Sequence, residues 1–219
     1  MQTTPDASPP QRFALILVLS LTTVLWTIAM PQSDATRAVS VLLQGLTFVV
    51  ALIAARDHRR ARRTAGLASL VVLAAAVVLA GLGVLDNDVR VSISLAIAVA
   101  TPAVMARGLV RLLRERGVVA QAVFGALAFY LQIGLVFAYA AAVLGRAQGN
   151  FFTTSKTDTI SDFVYWSFTT MSTTGYGDYV PATQAGHSLA VFVMLIGQIY
   201  LVTVVALLIS NMPTRRSTA

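Results

Sequence analysis

Long apolar runs separated by short polar breaks organise the whole chain. A helix that spans a bilayer needs ~20 predominantly apolar residues, with about 17 to 25 as the useful range. Six runs meet that requirement: Phe13–Met30, Ala38–Ala55, Ala65–Val84, Val89–Ala106, Val118–Gly145 and Gly186–Met212. The fourth is the weakest, because it is short and Pro102 interrupts it. The stretch between the fifth and sixth runs, Phe151–Ala185, is too polar to span by itself. Asp158, Ser161 and Asp162 are helix-opening residues; Ser161 is the expected cap and Asp162 suits the positive N-terminal end. "FVYWSFTTMS" then runs without Gly or Pro, which predicts a short helix of ~15 Å. "TTGYGD" follows, and Pro181 ends the excursion. A half-helix followed by a glycine-broken extended segment predicts a re-entrant loop. At membrane depth such backbone is tolerated only where it is buried in protein or lines a water-filled path.

Composition narrows the class. Of the 219 residues 57% are hydrophobic and only 11% charged, more apolar surface than a soluble domain can bury. The expected fold class is an all-α membrane protein. With no cysteine, neither a disulfide framework nor a thiolate metal site is available. The two histidines, His58 and His187, are far apart and read as surface or helix-end polar groups. The net charge of +7 is carried by arginines that cluster in alternate loops. These are Arg56, Arg59, Arg60, Arg62 and Arg63 after the second run, Arg107, Arg111, Arg114 and Arg116 after the fourth, and Arg215 and Arg216 in the tail. That alternation is explained by topology rather than by nucleic acid, and it predicts both termini in the cytoplasm. The first run is expected to be a span and not a cleaved signal, being long and lacking a small-x-small site. Residues 1–12 read as a disordered cytoplasmic leader and 213–219 as a cytoplasmic tail. No convergent acid, base or metal-ligating set lies at membrane depth, so neither an enzyme nor a cofactor site is expected.

The segment Thr173–Asp178, "TTGYGD", resembles the selectivity filter of potassium channels, usually T-V-G-Y-G-D. The resemblance extends over about Val118 to Met212: outer helix, pore helix, filter and inner helix. The layout of six spans with the loop after the fifth is similar to prokaryotic channels of the voltage-gated-type cation channel superfamily. It implies a homotetramer in the bacterial inner membrane, since one strand cannot surround an ion. It implies K⁺ sites at the carbonyls of Thr173, Thr174, Gly175 and Tyr176, with the Thr173 hydroxyl innermost. Gly175 and Gly177 supply the dihedrals that such a strand requires. Tyr176 is expected to pack against the pore helix. Asp178 is expected at the outer mouth, hydrogen-bonded to Tyr165 or Trp166. Thr169 stands where some members carry a glutamate, and Thr174 where valine is usual. Gly197 matches the gating-hinge glycine, with close helix packing as the alternative use. Gln198, Leu201 and Val205 would line the cavity.

Charge placement departs from the family. A voltage sensor needs several charges in the membrane field, each worth ~2.3 kcal/mol per 100 mV. Val91–Ala106 holds none. Residues 13–106 therefore read as a four-helix, sensor-like domain poor in charge. Residues 107–117 read as an interfacial linker helix whose Arg107, Arg111 and Arg114 contact anionic lipid headgroups. Residues 118–212 read as the pore domain. The tail "PTRRSTA" is too short for a nucleotide- or calcium-binding domain, so gating is expected through the membrane domain, lipids, pH or the filter. The expected function is passive, potassium-selective conduction with little or no voltage gating. The alternatives are a weakly selective cation channel and a non-conducting regulatory subunit.

Overall fold

The computed structural model describes residues 12–55, 87–117, 119–154 and 158–211. Among these the regular elements are all helices, and the one β-type contact is an antiparallel bridge between Phe152 and Pro181. The helices are α1 (Arg12–Ala29), α2 (Asp34–Ala55), α3 (Asn87–Arg116), α4 (Ala120–Gln148), α5 (Ile160–Met171) and α6 (Gln184–Ile199). A π-helical turn, Tyr200–Val205, prolongs α6 into α7 (Ala206–Ser210). Five stretches are long and apolar enough to cross a membrane: α1, α2, Asp88–Glu115 in α3, α4, and Gln184–Leu208. They coincide with five of the six expected runs; the remaining one, Ala65–Val84, lies outside the described residues.

α3 differs from its expectation. Residues 89–106 and 107–116 form one uninterrupted helix of 30 residues, with Pro102 inside it. Within apolar surroundings every backbone group must be satisfied internally, so the helix continues through a proline that would end it in water. It stops at Gly117, whose φ of 68° is open to glycine without penalty. The turn is short, and α4 folds straight back along α3.

Packing follows from small residues and hydroxyls. α1 lies between α2 and α4, and α3 lies between α2 and α4, so the N-terminal bundle packs on α4 of its own chain. Phe13, Ile16, Ala51, Met105, Leu109, Ala122 and Ala128 form one buried cluster between α1, α2, α3 and α4. Gln132 donates from α4 to the Ser20 hydroxyl on α1 (2.8 Å). The buried hydroxyls of α1 to α3 mostly donate to the carbonyl four residues back, which satisfies them without a partner helix. A second cluster joins α4 to α5, and glycine permits the approach. A Cβ at Gly134 would meet the Phe168 ring, and the Ser167 hydroxyl donates to the Gly134 carbonyl at 2.7 Å.

Candidate functional site

The polar segment after α4 is held by aromatic rings and by the start of α5. Phe151, Phe152, Phe163, Trp166 and Tyr179 pack edge-on or tilted, with centroids 4.9–6.1 Å apart. The strands on either side of the excursion are tied by Thr153 N–H to Val180 O (2.9 Å) and Ala182 N–H to Phe151 O (2.7 Å). The cap of α5 is Thr159, not the expected Ser161. Thr159 accepts from the Asp162 N–H, and Asp162 accepts from the Thr159 N–H at 2.8 Å, a reciprocal box that satisfies two free donors. Ser161 instead donates to the Ile28 carbonyl at the end of α1. The pattern Thr-x-x-Asp was present in the sequence and would have identified the cap.

α5 ends at Met171, and the chain then turns back on it. Ser172 N–H donates to Phe168 O, Thr173 N–H to Thr170 O, and both Thr174 N–H (2.9 Å) and Gly175 N–H (3.1 Å) to the single carbonyl of Thr169. The peptides are all trans. In a trans peptide the carbonyl points opposite to the N–H of the following residue. Two consecutive N–H groups converging on one acceptor therefore send the carbonyls of Thr173 and Thr174 to the same side, away from α5. An ordinary strand would alternate them. The backbone makes this possible by alternating in handedness. Thr173 (φ 58°), Gly175 (φ 49°) and Gly177 (φ 80°) lie in the left-handed region, while the residues between them do not. Thr173 is the one non-glycine with positive φ among the described residues. Residues 172–178 are exposed on the surface of the single chain. Such an array presents a row of carbonyl dipoles, a surface suited to a partly dehydrated cation.

Side chains brace the row from behind. The Tyr165 hydroxyl donates to Asp178 Oδ2 at 2.8 Å, and its ring stacks on Tyr176 at 6.4 Å with 11° between planes. The hydrogen bond to Asp178 raises the Tyr165 pKa. Tyr165 is thus the partner of Asp178; Trp166 is buried in the aromatic cluster instead. Tyr179, which the sequence did not single out, donates to Asp162 Oδ1 at 2.7 Å, and its pKa is pushed up to about 12, chiefly by that bond. The Thr169 hydroxyl donates back to Tyr165 O and Trp166 O within α5. At the other end, Gln198 Nε2 donates to Thr173 Oγ1 at 3.0 Å. Gln198, Leu201 and Val205 share one half-buried stripe of α6 and the π turn.

Gly197 lies where α6 crosses the end of α5. A Cβ there would collide with the Met171 carbonyl, so close packing by itself accounts for glycine at 197. The departure from regular α-helix comes three residues later, at Tyr200, whose hydroxyl donates to the Ala126 carbonyl on α4 at 2.8 Å. His187 bonds the Pro181 carbonyl through Nε2 at 2.7 Å, a helix-end role as expected. The arginines at 107, 111 and 114 lie on the last turns of α3, far along the bundle from the carbonyl row; Arg111 pairs with Glu115 at 2.7 Å.

Residues 125–212 match the family described as "Ion channel". This range starts inside α4 and takes in α5, the carbonyl row and α6. The potassium channel K1 of Plasmodium berghei (strain Anka) is 56% identical over 34 residues, which are 16% of this chain and 2% of that protein. The chain thus spans only a small part of that relative's length. No solved structure matches the chain. Together these similarities and the five apolar helices support an ion channel within a multi-pass membrane protein, and they point away from an enzyme.

Proposed function

We propose that the chain is one subunit of a homotetrameric, potassium-selective channel that conducts K⁺ passively across the plasma membrane of a prokaryote, with little or no voltage gating. The observation that carries this reading is the pair of N–H groups, Thr174 and Gly175, converging on the Thr169 carbonyl. Four such rows around an axis would replace the hydration shell of K⁺ with main-chain oxygens from Thr173, Thr174, Gly175 and Tyr176. In this reading α4, α5 and α6 are the outer, pore and inner helices. Closed symmetry is the usual way for identical subunits to enclose an axis. The exposed apolar side chains of α6 and the π turn, among them Val191, Leu195, Ile199 and Val202, then meet neighbouring subunits, the cavity or lipid. The C-terminal end of each pore helix faces the cavity with its partial negative charge, which favours a cation there. The arginine distribution supports cytoplasmic termini, with Arg107, Arg111 and Arg114 at the inner headgroup layer.

The test is flux from liposomes that contain only this protein. K⁺ is expected to pass and Na⁺ to be excluded. Gly177→Ala forces an L-residue into the left-handed region at ~1–2 kcal/mol in every subunit, and Tyr176→Ala removes the ring stacked on Tyr165. Both substitutions are expected to abolish selective flux. Equal K⁺ and Na⁺ flux in the unaltered protein would replace the reading with a weakly selective cation channel. No flux would replace it with a non-conducting subunit.

A further inference from the structure

At the end of the N-terminal bundle nearest α5, a cavity of 180 Å³ opens between α1, α2, α3, α4 and the start of α5. That is well above the ~10–15 Å³ needed to hold a single water. Among the described residues its lining includes three guanidinium groups, Arg37 from α2, Arg90 from α3 and Arg146 from α4, alongside the hydroxyl residues Ser40 and Ser94. The described acids nearby offset these charges only in part. Asp34 pairs with Arg37 at 3.4 Å and Arg90 at 3.8 Å, and Asp88 with Arg146 at 3.0 Å, but both carboxylates lie at the rim, about four-fifths exposed. There, water weakens their hold. The one acid in the described lining, Asp158, accepts from the Phe151 N–H at 3.2 Å and leaves the three arginines in excess there. Arg90 is the most enclosed of the three, and its Nε is buried with no hydrogen-bond partner.

A buried guanidinium donor without an acceptor is an unfavourable arrangement, and Arg90 Nε has none among the described residues. Three arginines from three helices lining one cavity supply the kind of donor a phosphate group takes, paired N–H groups of guanidinium forks. We propose that this cavity is an anion site for a phosphate group. Its occupant bridges the N-terminal bundle to α4 and the start of α5, the helix that carries the carbonyl row. The site lies where apolar spans give way to polar loops, the depth at which lipid headgroups sit, so a phosphodiester headgroup and free phosphate share the chemistry.

The test measures thermal unfolding of the full-length protein in a neutral detergent, so it does not depend on conduction. Inorganic phosphate is compared with chloride at matched ionic strength, and short-chain phosphatidylglycerol with short-chain phosphatidylcholine. A ligand at about 100 times its Kd is expected to raise the Tm by roughly 5 °C or more. Arg90→Gln is expected to remove the response, and Arg90→Lys to retain part of it. A response to phosphate alone assigns a soluble anion; a response to phosphatidylglycerol alone assigns a headgroup. If neither ligand differs from its control in the unaltered protein, the cavity holds only water and the proposal fails. It fails equally if Arg114→Gln removes the response while Arg90→Gln keeps it, since the anion then binds at the opposite end of the bundle. Should Arg90→Gln not fold, Arg146→Gln serves in its place, and the ligand arms on the unaltered protein still decide.

Discussion

The N-terminal bundle and the region after Gly145 both place polar side chains inside apolar surroundings, but they use them differently. In the bundle, Thr23, Thr27, Thr47 and Thr101 each donate to the carbonyl four residues back, at 2.7–2.8 Å. Such a bond satisfies the hydroxyl without fixing one helix against another; the Thr27–Ser40 contact at 3.3 Å is an exception. After Gly145 the bonds run between elements. Tyr165 reaches Asp178, Tyr179 reaches Asp162, Gln198 reaches Thr173, and Ser167 reaches the Gly134 carbonyl. Apart from that one contact, the bundle's threonine hydroxyls thus add no tie between helices, and the ties the bundle does have, such as Gln132 to Ser20 and Asp88 to Arg146, are made by longer side chains. The arrangement after Gly145 fixes the carbonyl row with a bond or ring at nearly every side. Polarity alone therefore does not mark a functional region in a membrane chain; polarity that ties different elements together does.

The sharpest way to break that comparison is to disturb a fixed contact after Gly145 and a free one nearby. A methyl at position 197 meets the Met171 carbonyl, one residue before the chain turns into the proposed filter. Overpacking of this kind costs about 1–3 kcal/mol per subunit. Gly197→Ala is expected to lower the thermal stability of the assembly and to abolish selective K⁺ flux. Gly149 has φ 95° and nothing within 4 Å of an added Cβ. Gly149→Ala is expected to carry a backbone penalty of ~1–2 kcal/mol while leaving selectivity intact. If Gly197→Ala altered only the fraction of time the channel is open, with selectivity and stability unchanged, the glycine would be a hinge and not a packing site.

The carbonyl row was legible in the sequence because its chemistry is local: two glycines at alternate positions, flanking a tyrosine, report positive φ without reference to any other element. The spans were legible because apolar run length is itself the physical requirement. Other features depend on what lies across a contact. Phe151 and Phe152 read only as apolar residues in a loop, yet they anchor the aromatic cluster behind the site. Pro102 promised a break that a membrane helix does not make. Gly197 was visible as a glycine, but the carbonyl facing it was not. The π turn at Tyr200–Val205 left no periodic trace, because a one-residue change in helical register does not disturb a run that is apolar all round.

Alkaline pH separates the two regions by the chemistry of their hydroxyls. Those of the bundle belong to Ser and Thr and do not titrate, whereas the collar behind the proposed filter is phenolic. The Tyr179 pKa is pushed up to about 12, first by its bond to Asp162 and then by desolvation. A folded value above the free phenol's ~10 means the protonated form is favoured by folding. That contribution is complete below pH ~10 and is lost as pH rises from there through 12. Tyr165 shifts in the same direction through Asp178. The assembly's thermal stability is expected to stay level between about pH 7 and 9 and to fall beyond 10. Tyr179→Phe is expected to have slightly lower stability at neutral pH and a shallower alkaline fall. An unchanged alkaline fall in Tyr179→Phe would mean that the collar does not control that loss.

The smallest expected effect is the response of the bundle to voltage, and its size follows from where charges stand. Among the described residues of α1 to α3, the ionised side chains gather toward helix ends: Asp34 and Arg37, then Asp88 and Arg90, near α5, and Arg12, Arg107, Arg111, Arg114, Glu115 and Arg116 toward the opposite end. Between Val91 and Ala106 there is none, and the sequence of Ala65–Val84 contains none either. A charge contributes to gating only through the fraction of the field it crosses. One full charge crossing in each of four subunits would supply roughly 9 kcal/mol per 100 mV, four times the ~2.3 for a single charge. Arginines at the interface, as proposed for Arg107, Arg111 and Arg114, cross little of it, so conductance is expected to vary shallowly with voltage, and gating currents to stay below about one elementary charge per subunit. Charge movement several times larger would mean that the end of α3 travels through the membrane field.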